Sequence, residues 1–218
     1  MVDKYPQIPY IKIKEQESSG TGRKMKGCRP LSQDEEAKIG AAFSGKFASR
    51  DKAIFILGTK SGFRISELLS LRIGDIFQNG QIVDRVYVER KNMKKKVEGR
   101  SVILHPDAKA ALKDWFKYLK KITSQSGDKF LFLSRKGENK PIGRVQFYKI
   151  LRRAFDSNNL SGKLGTHSMR KTFASKIYDR LDHDLVKTAR ALGHKNVNST
   201  AQYLSFRQEE IDEAILSA

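Results

Sequence analysis

The chain has 218 residues, with 43 Lys and Arg against 24 Asp and Glu, a formal charge of +19 and 39% hydrophobic residues. That supports one large domain with a core, or a domain with an arm, and the cationic excess favours a polyanion: DNA, RNA or an acidic membrane surface. The lone Cys28 excludes an internal disulfide, none of His105, His167, His183 and His194 pairs with a His or Cys at zinc-like spacing, and no apolar run approaches the roughly 20 residues of a bilayer span.

Residues 1–30 read as a basic arm. They hold Pro6, Pro9, Pro30, a Ser-Ser-Gly-Thr-Gly stretch at 18–22, and the cluster Arg23, Lys24, Lys26. Such a segment cannot bury enough apolar surface to order itself alone; it either lies on DNA or is a flexible leader. Its polar, lysine-bearing start does not resemble a secretory signal, and a reducing cytoplasm fits the single cysteine.

Structure is expected from Leu31 on. Ser32 with Glu35 forms a capping box for a helix through Ala37, Ile39 and Phe43. A second helix is predicted over about 50–60 and a third from Arg64, with Ile65, Leu68 and Leu69 as its apolar stripe and Leu71 closing it. The period then changes. Residues 81–89 (QIVDRVYVE) and 100–104 (RSVIL) read as two strands of a β-hairpin around a lysine-rich turn. Pro106 opens a helix at its first position, carrying Ala108, Leu112, Trp115, Phe116 and Leu119 on one face. Residues 130–133 form a short buried or extended segment. Helices are expected at about 143–157, 167–181, 184–192, 197–204 and 207–217. The fold class is mainly α with a small antiparallel β-sheet (α+β). The expected divisions are an arm at 1–30, a catalytic domain at 31–206 and a C-terminal helix at 207–218.

The polar residues that carry chemistry stand in a fixed order. Arg64 follows Gly62-Phe63 at a helix start, with Glu67 three residues on. It reads either as an exposed helix arginine or as a guanidinium fixed by Glu67 and aimed at a phosphate. His167 and Arg170 share a helical face, and Gly165-Thr166 before them place the pair at a helix N-terminus, where backbone amides favour phosphate. Lys171 adds charge at the same spot. Gly193 suits the left-handed position that ends a helix and turns His194 into a loop. Tyr203, nine residues beyond His194, is either a half-buried helix tyrosine or a nucleophile. Two arginines, two histidines and a tyrosine are the equipment for attacking a phosphodiester with a phenol and no metal.

That conjunction resembles the catalytic domain of the tyrosine recombinases, the lambda-integrase family. The matching pieces are GFRISELLSLRIGDI (62–76), the hairpin region 86–104, THSMRKTFAS (166–175), LGHKN (192–196) and STAQYL (199–204), within a match over about residues 31–210. The resemblance implies that Arg64, His167, Arg170 and His194 are catalytic and that Tyr203 is the nucleophile. It also implies a catalytic lysine in the hairpin turn, RKNMKKKVEGR, where Lys94 is the first choice and Lys91 the second. Lys91, Lys95, Lys96, Arg100 and Lys171, together with the arm cluster, are expected to touch DNA.

The implied function is site-specific DNA recombination, as integration, excision or inversion of a mobile element, through a 3′-phosphotyrosine intermediate with no cofactor. The implied partners are double-stranded DNA, a homotetramer on paired sites, in which the C-terminal segment docks into a neighbouring subunit, and accessory DNA-bending proteins. The expected location is the cytoplasm, on the nucleoid. Most members carry an N-terminal helical domain of about a hundred residues where this chain has some 30 arm-like residues. It is expected either to be a short, catalytic-domain-only recombinase, like the fimbrial phase-variation invertases that segment 132–150 also resembles, or a fragment of something longer. Two alternatives stay open: a type IB-like topoisomerase, and a non-catalytic DNA-binding regulator with the same fold.

Overall fold

The computed structural model describes residues 27–88, 99–124, 126–204 and 215–217. The expectations for Arg23, Lys24, Lys26, Lys91, Lys94, Lys95 and Lys96, and for most of the 207–217 helix, lie outside the described residues.

Helix α1 (Gln33–Ala41) starts as its sequence requires. The Ser32 hydroxyl accepts the Glu35 N–H at 3.2 Å and the Glu35 carboxylate accepts the Ser32 N–H at 2.9 Å. The chain before it is tied down at a distance. The Arg29 N–H donates to Lys163 O at 2.9 Å, and the Leu31 N–H donates to Thr172 Oγ1 at 2.8 Å.

Helix α2 (Ala48–Ser61) is the central post, with Ala53, Ile54, Phe55 and Leu57 fully buried. It packs between α5 (Pro106–Ile122) and α7 (Thr166–Arg180). Pro106 does open α5, whose apolar stripe buries Ala108, Leu112, Trp115 and Leu119; the Trp115 indole donates to Leu131 O at 2.8 Å. The short helices α3 (Ile65–Ser70) and α4 (Ile73–Ile76) follow α2, and α4 has no counterpart in the sequence reading.

Among the described residues the β structure is two separate two-stranded ribbons rather than one hairpin. Strands β1 (Phe77–Gln78) and β2 (Gln81–Ile82) close around Asn79-Gly80, both at positive φ as a tight hairpin turn needs. Strand β3 (Arg85–Val88) pairs antiparallel with β4 (Arg100–Ile103), from Arg85↔Ile103 to Val88↔Arg100. The expected long first strand is divided because its partner changes: the Val83 N–H still bonds Ile76 O at 2.9 Å in register with the first ribbon, whereas Asp84 O accepts the Leu104 N–H at 2.9 Å in register with the second. Phe130 and Leu133 form isolated antiparallel bridges to Arg72 and Pro141 with bends at 131–132 between them, and the Leu131 N–H donates to Leu71 O at 2.8 Å. Helices α6 (Arg144–Ser157), α8 (Leu185–Leu192) and α9 (Val197–Leu204) complete the fold, each within a residue of its expected start. Packing of α7, α8 and α9 on one another brings the last third of the chain against the α2–α3 turn.

Candidate active site

Each functional side chain sits at the end of an element. Helix α2 ends at Gly62 in the left-handed region (φ 61°). A Cβ there would lie 2.4 Å from the Phe173 ring, so glycine is required both by conformation and by the approach of α7. The sharp exit delivers Arg64 to the start of α3. The Glu67 carboxylate accepts the Arg64 backbone N–H at 2.7 Å and its Nη1 at 2.9 Å, leaving the Arg64 side chain 38% exposed. Burial alone would raise the Glu67 carboxyl. The Arg64 N–H bond and the charges of Arg100 and Arg64 outweigh it and hold the group below the usual carboxylate range.

Arg170, one turn into α7, is 1% exposed. Its Nη2 donates to Leu192 O at 2.7 Å and its Nη1 to Gly62 O. Burial, then the charges of Arg64 and Arg100, lower its pKa to about 10, so it remains a cation at neutral pH. His167 is on the same face but exposed, and its Nδ1 lies 3.1 Å from the Tyr203 hydroxyl. Although the residue stays exposed, partial loss of water around the ring, then the charges of Arg170, Arg144, Lys171 and Arg64, push the His167 pKa below the ordinary imidazole value. The shift favours the neutral ring, the form able to take a proton.

Gly193 ends α8 at φ 64° and hands the chain to His194. The His194 Nδ1 lies 2.8 Å from the hydroxyl of Thr200, a fully buried residue one turn before Tyr203. The His194 and Tyr203 rings meet edge to face at 5.3 Å between centres. The Arg170 guanidinium carbon is 5.9 Å and the Lys171 ammonium 5.8 Å from the Tyr203 ring centre. Arg64, Glu67, His167, Arg170, Lys171, His194 and Tyr203 thus fall in one connected cluster.

Two further cations stand at this site. Lys171 is 8% exposed and packed beside Tyr203, and burial lowers its pKa. Arg100 turns inward from β4, with a side chain 16% exposed, and bonds Gly62, Glu67 and Ala191. Thr200, which orients His194, was missed; its place in the Ser-Thr-Ala-Gln-Tyr run carries no local signal of a histidine partner. Among the described residues there is no group of three or more His, Cys, Asp or Glu placed to hold a metal, and no helix long and apolar enough to cross a membrane.

Comparison with known proteins identifies the family. The family model "Phage integrase family" matches residues 29–210. The "Probable integrase/recombinase YoeC" of Bacillus subtilis (strain 168) is 31% identical over 160 residues, covering 73% of this chain and 80% of that protein. The "Type 1 fimbriae regulatory protein FimB" of Escherichia coli (strain K12) is 30% identical over 169 residues, covering 77% and 79%. Among solved structures, the XerH site-specific recombinase bound to palindromic difH substrate, a post-cleavage complex, superposes with a TM-score of 0.67 at 25% identity. That match covers 85% of this chain and 51% of XerH, so the chain spans about four-fifths of YoeC and FimB but about half of XerH. The chain belongs to the phage integrase family, the tyrosine recombinases.

Proposed function

We propose that this chain cleaves and rejoins DNA at specific sites, with Tyr203 as nucleophile and Arg64, His167, Arg170 and His194 as the residues that serve it. The observation that carries the assignment is the 3.1 Å approach of the Tyr203 hydroxyl to a His167 ring whose neutral form is favoured, beside the buried Arg170 cation. A phenol is a poor nucleophile near neutral pH and a phosphodiester repels an oxyanion. The Tyr203 O–H donates to the neutral Nδ1, which takes the proton as the oxygen attacks phosphorus. Arg64 and Arg170 balance the charge that grows on the non-bridging oxygens, and His194, oriented by Thr200, donates a hydrogen bond to one of them. The bond from phosphorus to the 5′ oxygen breaks, and its electron pair leaves with that oxygen. A lysine of the 89–98 turn, Lys94 first and Lys91 second, supplies the proton that completes the 5′ hydroxyl. The 3′-phosphotyrosine keeps the linkage energy, and a 5′ hydroxyl from another strand reverses the step without ATP or metal.

The reading extends to assembly: a catalytic unit at 31–206 on double-stranded DNA, tetrameric on paired sites, working in the cytoplasm on the nucleoid with DNA-bending proteins. The residues of the arm and the hairpin turn, Arg23, Lys24, Lys26, Lys91, Lys95 and Lys96, contribute phosphate contacts. Residues 207–218 bind a neighbouring subunit. Two features support that docking. Ile215 and Leu216 are 69% and 88% exposed. A cleft of about 650 Å³ between α1, α2 and α7 is lined in part by the apolar Ala37, Ile56, Phe173 and Ile177, among charged residues such as Lys52 and Arg180.

A nicked suicide substrate carrying candidate sites tests the function. The expected result is a covalent adduct that strand exchange resolves, with Tyr203→Phe binding DNA within a few-fold of wild type and forming no adduct. Adduct with relaxation alone would make the chain a topoisomerase, and binding without adduct would make it a regulator.

A further inference from the structure

Arg100 is the first paired residue after the hairpin turn, opposite Val88. Its side chain leaves the ribbon and enters the frame of the site. Nη1 donates to Ala191 O at 3.0 Å, and Nη2 donates to Gly62 O and to Glu67 Oε2, both at 3.2 Å. The guanidinium carbon lies 5.4 Å from the centre of the Phe63 ring. Gly193 makes room for it, since a Cβ there would come within 2.7 Å of Arg100 Cδ.

These partners are the segments that carry the catalytic set. Gly62 stands two residues before Arg64, Glu67 holds Arg64 through its N–H and Nη1, and Ala191 stands three residues before His194. Arg170 repeats the pattern from the other side, gripping Gly62 O and Leu192 O. Two arginines therefore share one carbonyl at the end of α2 and take adjacent carbonyls at the end of α8. Both helices stop at left-handed glycines, Gly62 and Gly193. The carbonyls left over at helix C-termini are the negative ends of the helix dipoles, a suitable neutralising surface for buried guanidinium groups.

Arg170 belongs to α7 and would complete this frame without the hairpin. Arg100 is different because it brings the ribbon into it. Only six residues separate Arg100 from Lys94, a reach of about 20 Å at most when extended. Fixing Arg100 fixes the strand end that the lysines of 89–98 precede in the chain. We propose that Arg100 is a positioning residue that ties the start of β4 to the Arg64 and His194 segments, so that proton delivery to the leaving 5′ oxygen depends on it. The proposal rests on the reading above that a lysine of this turn is the general acid.

The test compares single-turnover cleavage of two substrates: ordinary DNA, and DNA in which sulfur replaces the bridging 5′ oxygen at the scissile bond. A thiolate is a far weaker base than an alkoxide and leaves without a proton. Wild type cleaves both. Arg100→Met keeps length but loses charge and fork, and is expected to lose about 100-fold on the oxygen substrate, the scale of a general acid's contribution. On the sulfur substrate it should stay within about 10-fold of wild type. Equal losses on both substrates would overturn the proposal, placing the role of Arg100 in holding Arg64 or His194; so would normal cleavage of both. If the melting profile shows Arg100→Met unfolded, Arg100→Lys replaces it, with the same pattern of sulfur rescue expected and equal losses again decisive against it. Wild type that cleaves neither substrate would overturn the cleavage reading itself, a result distinct from either failure of Arg100.

Discussion

His167 is surrounded by four cations, and that fixes the sign of its pH response. A base must be neutral to take the Tyr203 proton, and burial together with Arg170, Arg144, Lys171 and Arg64 holds the imidazole pKa below its ordinary value. Cleavage at subsaturating protein, which reports the free enzyme, should therefore be level from about pH 8 down through the ordinary imidazole range near 6.5. It should fall only below that. His167→Gln should remove the acidic limb along with most of the rate. A limb centred above pH 7 in the wild type would contradict the assigned role. The linkage to stability has the same direction. The folded state binds this proton less tightly than the unfolded state, so the stabilisation is intact above the unfolded pKa and is lost as pH falls through the folded one. Arg64 gives a second prediction. Its fork is set by Glu67 at 2.9 Å, and a lysine ammonium is a point charge without that planar geometry. Arg64→Lys should lower cleavage by at least about 100-fold, the scale of one lost transition-state donor, while DNA binding by gel shift stays within a few-fold. A near-normal rate would exclude Arg64 from the chemistry. Arg64, His167 and His194 could be singled out in the sequence because each adjoins a helix boundary with its own local signal, and Arg170 because it follows His167 on the same helical face; Tyr203 was singled out only by its place in the order. Arg100 and Thr200 were not legible in their observed settings, because their partners lie 91 and 6 residues away and are met only through folding.

At the scale of elements, the turn between α2 and α3 decides where the site stands. Gly62 combines a left-handed φ with a contact that leaves no space for a methyl group beside Phe173. Gly62→Ala should destabilise the fold by about 2–4 kcal/mol, the sum of a left-handed penalty near 1 kcal/mol and overpacking of 1–3 kcal/mol. Adding Phe173→Ala should return part of the packing cost and none of the conformational cost. Chemical denaturation of the two variants separates these; a neutral Gly62→Ala would show that the turn relaxes freely. The helices were readable because their signals are local: the Ser32–Glu35 box, Pro106 at the first position of α5, and Gly193 after α8. The ribbons were only half readable. Alternation over 81–89 marked extended chain. The change of partner from Ile76 at Val83 to Leu104 at Asp84 is not encoded in alternation, and the Asn79-Gly80 turn that closes the first ribbon lay just before the segment read as a strand.

The whole molecule carries +19, and no single cluster explains it. A field of that size acts by releasing counterions from DNA, so log affinity should fall linearly with log salt, by about one unit of slope per phosphate contact. Lys95→Ala and Lys96→Ala should each reduce the slope by about one and weaken specific and unrelated sites alike. An unchanged slope would remove them from the DNA surface. Assembly adds a different requirement. A head-to-tail contact closes a ring only when each copy both gives and receives a segment, so its loss acts on the ring and not on one copy's grip of DNA. Deleting 207–218 removes the C-terminal segment with its apolar Ile211, Ala214 and Ile215 while leaving the described cluster in place. Ile177→Asp leaves that segment but puts a carboxylate among the apolar lining residues of the cleft. Both changes should preserve single-site binding within a few-fold and lower synapsis of two sites at least about tenfold, measured as paired-duplex complexes by native gel or light scattering. Loss with the deletion but not with Ile177→Asp would place the acceptor elsewhere on the neighbour. Normal synapsis with both would mean that copies of this chain meet on DNA through another surface.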